Sequence, residues 1–152
     1  MNSNTSAVCL VGKSWDFHVD VADLTILTCY NKAKSGGQSM ISSGVTAHNY
    51  LLKEYPDLAE IAYQFFHFSR QEEQAPDEKP FYSLPLFEET NGNLFCNWNR
   101  NRVQSAQNIE GVPELSKLQN ETMNFLDEIL KTVYREGAVS KIQKEILGRP
   151  YT

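Results

Sequence analysis

The stretch WDFHVDVADLTILTCY, residues 15–30, reads as extended chain. Residues 19–30 are rich in β-branched and apolar side chains and contain neither Pro nor Gly, a composition that predicts one or two closely spaced strands. At the head of this run His18 and Asp20 stand two residues apart, and on an extended strand side chains at i and i+2 point to the same face. One imidazole nitrogen and one carboxylate oxygen are then presented side by side. That is the ligand chemistry of a 2-His-1-carboxylate iron site, which grips Fe(II) on one face and leaves the opposite positions open. A three-residue H-x-D pattern is short, however, and taken alone it reads more readily as a strand-end His and Asp satisfied by solvent or backbone.

Working outward, Ser35-Gly36-Gly37 breaks the strand pattern as a turn. Residues 38–42 resume an apolar alternation, Ser43-Gly44 ends it, and Thr46 stands as the N-cap of a helix that places Ala47, Tyr50, Leu51 and Tyr55 on one face. Pro56 stops that helix, because proline cannot donate the interior N–H, and opens a second one, PDLAEIAYQFF, with Leu58, Ile61, Ala62 and Phe65 turned inward. Residues 69–79, SRQEEQAPDEK, form a solvated loop. Residues 81–87 and 94–98 flank Asn91-Gly92, and an Asn-Gly pair supplies the positive φ angles of a tight hairpin turn. Residues 116–135 are a helix, with Ser116 and Gln119 at capping-box spacing and Leu118, Thr122, Phe125, Ile129 and Val133 along one face. Gly137 ends it, and residues 140–147 add a short terminal helix before Gly148-Arg149-Pro150. No repeat is visible, so the chain reads as one α+β unit.

Taken together, His18-Val19-Asp20, the turn Lys34-Ser35-Gly36-Gly37-Gln38-Ser39, Ser42-Ser43 before a helix, Tyr55-Pro56-Asp57-Leu58, residues 80–87 (PFYSLPLF) before the hairpin, and Asn99-Arg100-Asn101-Arg102-Val103 resemble the taurine dioxygenase-like (TauD/TfdA) family. These are Fe(II)- and 2-oxoglutarate-dependent dioxygenases of the clavaminate synthase-like superfamily, and the likeness covers residues 17–132. It implies a double-stranded β-helix, or jelly-roll, with helical insertions, and hydroxylation of a small organic substrate with release of succinate and CO₂. It also implies that His18 and Asp20 are the first two iron ligands. Ser39 then takes the Ser/Thr place of a G-G-x-[ST] turn that holds a carboxylate of 2-oxoglutarate, with Gly36 and Gly37 letting the backbone bend; the alternative is a turn residue bonding its own backbone. Arg100 and Arg102 fall where relatives carry a substrate-side strand, so an arginine binding an anionic substrate stands beside the alternative of solvated surface arginines. His48, on the first helix, reads as a packing or surface residue, and His67, in Phe65-Phe66-His67-Phe68, as a partly buried structural one.

The family's third iron ligand is a His downstream of the long helix, followed by an Arg that clamps the far carboxylate of 2-oxoglutarate. Residues 136–152 contain no His, and Arg149 is the Arg among them. The expectation is a partial jelly-roll that is catalytically incomplete by itself, with unpaired strand edges open to self-association; its alternative is a non-catalytic fragment or pseudoenzyme working through protein contacts. A zinc hydrolase is disfavoured, since no H-E-x-x-H motif is present.

Composition closes off other classes. Fourteen Lys and Arg against 19 Asp and Glu leave a net charge of −5 over 152 residues, and no basic cluster exceeds Arg100 and Arg102, which argues against nucleic-acid binding. With 41% hydrophobic and 11% aromatic residues the chain can build a core. Its longest apolar run, residues 7–12, falls far short of the roughly 20 residues of a membrane span, and residues 1–6 lack the basic start of a secretory signal. The three cysteines, Cys9, Cys29 and Cys96, are an odd number without a C-x-x-C pair, which fits free thiols in a reducing, cytoplasmic compartment.

Overall fold

The computed structural model describes residues 7–9, 17–20, 26, 28, 31, 34–35 and 41–135. In chain order these form β1 (Ala7–Cys9), β2 (Ile41–Ser43), α1 (Gly44–Glu54), α2 (Pro56–Ala62), β3 (Phe65–Ser69), β4 (Phe81–Pro85), β5 (Phe87–Thr90), β6 (Asn93–Cys96), α3 (Arg100–Ala106) and α4 (Lys117–Arg135). The class is α+β, and among the described residues the strands pair antiparallel in three two-stranded sheets: β1 with β2, β3 with β4 and β5 with β6. The turn at Gly36-Gly37, Ser39, Gly137 and residues 140–147 lie outside the described residues, as do most of residues 19–30.

Helix α4 is the spine. Its capping box closes in both directions: the Gln119 amide donates to Ser116 Oγ at 3.1 Å and the Ser116 amide donates to Gln119 Oε1 at 2.9 Å, which satisfies two N–H groups that a bare helix end leaves orphaned. Met123, Leu126 and Leu130 are fully buried on its inner face, and α1 and α2 pack against it. Beneath lie Phe66, Phe68, Leu86, Phe87 and Trp98, so one aromatic core joins the helices to the sheets. Buried Ser42 adds a long-range tie by donating its hydroxyl to the Leu130 carbonyl at 3.0 Å.

The Asn91-Gly92 hairpin forms as expected. β5 and β6 pair Thr90 with Asn93 across it, and both turn residues hold positive φ, 54° and 72°, as the turn that matches strand twist requires. Pro56 opens α2, also as expected.

Four expectations are corrected. First, α1 begins at Gly44, and its N-cap is Ser43, whose Oγ accepts from the Thr46 amide at 3.2 Å; Thr46 is the capped residue, because the serine three places earlier reaches its N–H. Second, α1 buries Ala47, His48 and Leu51 while Tyr50 is exposed, and Tyr55 lies beyond the helix against the Phe125 ring at 4.6 Å. Third, α2 stops at Ala62, and residues that continue its helical periodicity become β3, with Phe65 67% exposed. Aromatic side chains suit a pleated surface, and Phe66 pairs with Leu84 and Phe68 with Tyr82 in the ladder with β4. The run 81–87 therefore divides, β4 pairing with β3 and β5 with β6. Fourth, Asn99-Arg100-Asn101-Arg102-Val103 is not a strand: Asn99 caps α3, its Oδ1 accepting from the Arg102 amide at 3.1 Å.

Candidate metal-binding site

Residues 17–20 run extended alongside residues 98–99. His18 forms an antiparallel β-bridge with Asn99, and the Val19 amide donates to the Trp98 carbonyl at 2.7 Å. Alternation then sorts the side chains. Phe17 is buried in the core and Val19 packs against it, while His18 and Asp20 take the other side, 25% and 52% exposed. The apolar pair thus anchors the segment and leaves the polar pair accessible.

His18 Nε2 and Asp20 Oδ1 stand 3.7 Å apart. That is longer than a hydrogen bond. Two ligands about 2.1 Å from one ion stand about 3 Å apart when they are cis on an octahedral face, so the pair can serve one ion once its side chains close by several tenths of an ångström. Nε2 is the nitrogen that faces the carboxylate, and binding through it places the imidazole proton on Nδ1. Among the described residues no group of three or more His, Cys, Asp or Glu gathers around one point, and His18 and Asp20 stand as a pair.

The other histidines serve packing. His48 is buried, with Nε2 2.6 Å from the Tyr63 hydroxyl and its ring edge-on to Phe87 at 5.0 Å. Half-buried His67 shares a hydrogen bond of 2.8 Å with Ser83 Oγ and stands edge-on to Phe81. Arg100 and Arg102 are both engaged in the scaffold. Arg100 donates to Asp127 Oδ2 at 2.7 Å and to Asn124 Oδ1 at 2.6 Å on α4, and Arg102 donates to the Ser69 carbonyl and to Glu73, each at 3.1 Å. Sequence reading grouped these arginines by proximity; helix α3 turns them to different partners.

Around this segment burial sets the ionisations. Cys96, three residues before Asn99, is a free buried thiol whose pKa desolvation pushes up to about 12, a hydrogen bond with the Trp98 backbone opposing weakly. The Tyr82 phenol is raised by desolvation against the pull of Arg102 and Arg70, whose guanidinium lies 5.3 Å from its ring centre.

A short α+β scaffold carrying a His-x-Asp pair with its donors on one side is the class that fold and site define. The chain belongs to the taurine catabolism dioxygenase TauD, TfdA family, whose model matches residues 4–138. It is similar to a protein named FR-33289 synthase from Streptomyces rubellomurinus, 33% identical over 125 residues that make up 80% of this chain and 37% of the relative. It is similar also to the taurine hydroxylase-like protein SAT17 of Stachybotrys chartarum, 30% identical over 138 residues, 81% of this chain and 33% of that one. The chain spans about a third of the length of these curated relatives, 37% and 33%. Among the described residues no helix is long and apolar enough to cross a membrane.

Proposed function

We propose that this protein acts as an Fe(II)- and 2-oxoglutarate-dependent dioxygenase that hydroxylates a small organic substrate in the cytoplasm, with His18 and Asp20 as two of its iron ligands. The observation that carries the reading is the 3.7 Å separation of His18 Nε2 and Asp20 Oδ1 on the open side of a segment whose other side is locked in the core, in a chain of the TauD, TfdA family. Iron with 2-oxoglutarate supplies the O₂ chemistry when bound, one oxygen atom entering the substrate C–H bond and the other the succinate that forms as CO₂ leaves. The chain's own contribution is positional. Phe17 is buried, Val19 packs against the core, the Val19 amide donates to the Trp98 carbonyl, and the imidazole and carboxylate stand side by side.

Ser39 belongs to the proposal as the hydroxyl that steadies a carboxylate of 2-oxoglutarate. For Arg100 and Arg102 the bonds their guanidinium groups make to α4, Ser69 and Glu73 support a scaffold role beside substrate binding. The third iron ligand comes from outside the described residues, as does the completion of the jelly-roll to which the three short sheets contribute. The test is anaerobic titration of the chain with Fe(II) and 2-oxoglutarate, following the visible charge-transfer band of the chelate. A saturable band, weak because two protein ligands are in hand, that disappears in His18→Ala and in Asp20→Ala is the expected result. A folded protein that gives no band, or one whose band survives both substitutions, overturns the assignment.

A further inference from the structure

The residue that pairs with His18 also starts a helix, and the next residue ties that helix to the spine. Asn99 bridges His18 through its backbone and caps α3 through its side chain. Arg100 sends one arm of its guanidinium to Asp127 and the other to Asn124, at 2.7 and 2.6 Å. Asn124 and Asp127 are three apart on α4 and so lie on one face of it, matching the planar fork of an arginine in a way that a lysine, with one ammonium centre, cannot. The pair is largely withdrawn from water, Arg100 20% and Asp127 17% exposed, so solvent screens it less than a surface ion pair.

We propose that the Arg100–Asp127–Asn124 clamp is a positioning device for the His18–Asp20 segment, fixing residues 98–99 relative to α4 and through them where the two donor atoms stand. This rests on the iron-binding reading for its chemical purpose, while its mechanical content stands apart from it. The segment 17–20 is short, and two of the contacts that give it register, the bridge to Asn99 and the Val19–Trp98 hydrogen bond, fall on the two residues before Arg100. Helix α3 packs on β3, so the Arg100 bonds are what tie its N-terminal end to α4, and a shift there passes through residues 98–99 to His18. A site built from two donors needs such support, because loss of register separates atoms that one ion must reach together. Arg100 is a positioning residue, acting through its bonds to Asp127 and Asn124.

The test compares the 152-residue chain with Arg100→Ala, Arg100→Lys and Asp127→Asn, reading amide hydrogen exchange without metal and Fe(II) affinity with it. The expected result in Arg100→Ala is exchange of the Val19 amide at least tenfold faster. The Ala59 amide, bonded to the Tyr55 carbonyl in α2, keeps its wild-type rate, and Fe(II) binds about tenfold more weakly. Asp127→Asn follows in the same direction, and Arg100→Lys, keeping one of two contacts, falls between. Equal acceleration of Val19 and Ala59, which marks general loosening, overturns the proposal, as does an unchanged Val19 rate in a folded variant. Should Fe(II) binding to the wild type prove independent of His18, the iron assignment fails by itself, and the Val19 rate still decides the clamp.

Discussion

Alkaline pH should weaken this fold through one thiol. Cys96 is buried, with its pKa raised from 9.0 to about 12. Between those values the unfolded chain has released the Cys96 proton while the folded chain keeps it, so the unfolded state binds fewer protons and stability falls as pH rises. The contribution is intact below pH ~9 and is lost progressively above it at roughly 1.4 kcal/mol per pH unit. Two units into that window, near pH 11, the loss from this group reaches ~3 kcal/mol, a large share of the roughly 5–15 kcal/mol that holds a typical domain. Urea unfolding followed by far-ultraviolet circular dichroism, under reducing conditions from pH 8 to 11, measures it in the wild type and in Cys96→Ala. The variant lacks the ionising group, so its stability starts lower by a constant packing cost and declines less steeply. Tyr63 and Tyr82, both raised by burial, add a decline of the same sign to both proteins and cancel in the difference. Parallel curves between pH 9 and 11 would refute the reasoning, showing that Cys96 meets water or a compensating charge in the folded state.

Two further outcomes test the frame around the site. Ser116→Ala removes the acceptor of the Gln119 amide and should cost about 1 kcal/mol, read as a lower urea midpoint with an unchanged slope. Gly92→Ala places a Cβ where nothing lies within 4 Å but where φ is +72°, so its cost is conformational, about 1–2 kcal/mol, and a thermal midpoint equal to that of wild type would contradict the turn assignment.

Features set by neighbours along the chain could be read directly. The Asn91-Gly92 turn, the start of α2 at Pro56 and the reciprocal Ser116–Gln119 cap each depend on atoms within a few residues, and each stands where residue types placed it. The alternation of residues 17–20 likewise put His18 and Asp20 on one side, since strand periodicity is a property of the backbone itself.

What needed the folded molecule was every choice in which a distant partner outbid a local pattern. Phe65 and Phe66 carry on the helical period of α2, yet a ladder with residues 81–85 makes them part of a strand. Arg100 looked like a free cation two places from Arg102, and it became the link between α3 and α4 because Asp127, 27 residues away, lies within 2.7 Å. The proposed iron-binding role of the His18–Asp20 pair is local, written in two side chains at alternate positions. Its register is not local, for it depends on a backbone hydrogen bond from Val19 to Trp98 across 79 positions, and pairing over that separation has a closure entropy that only the packed core can offset.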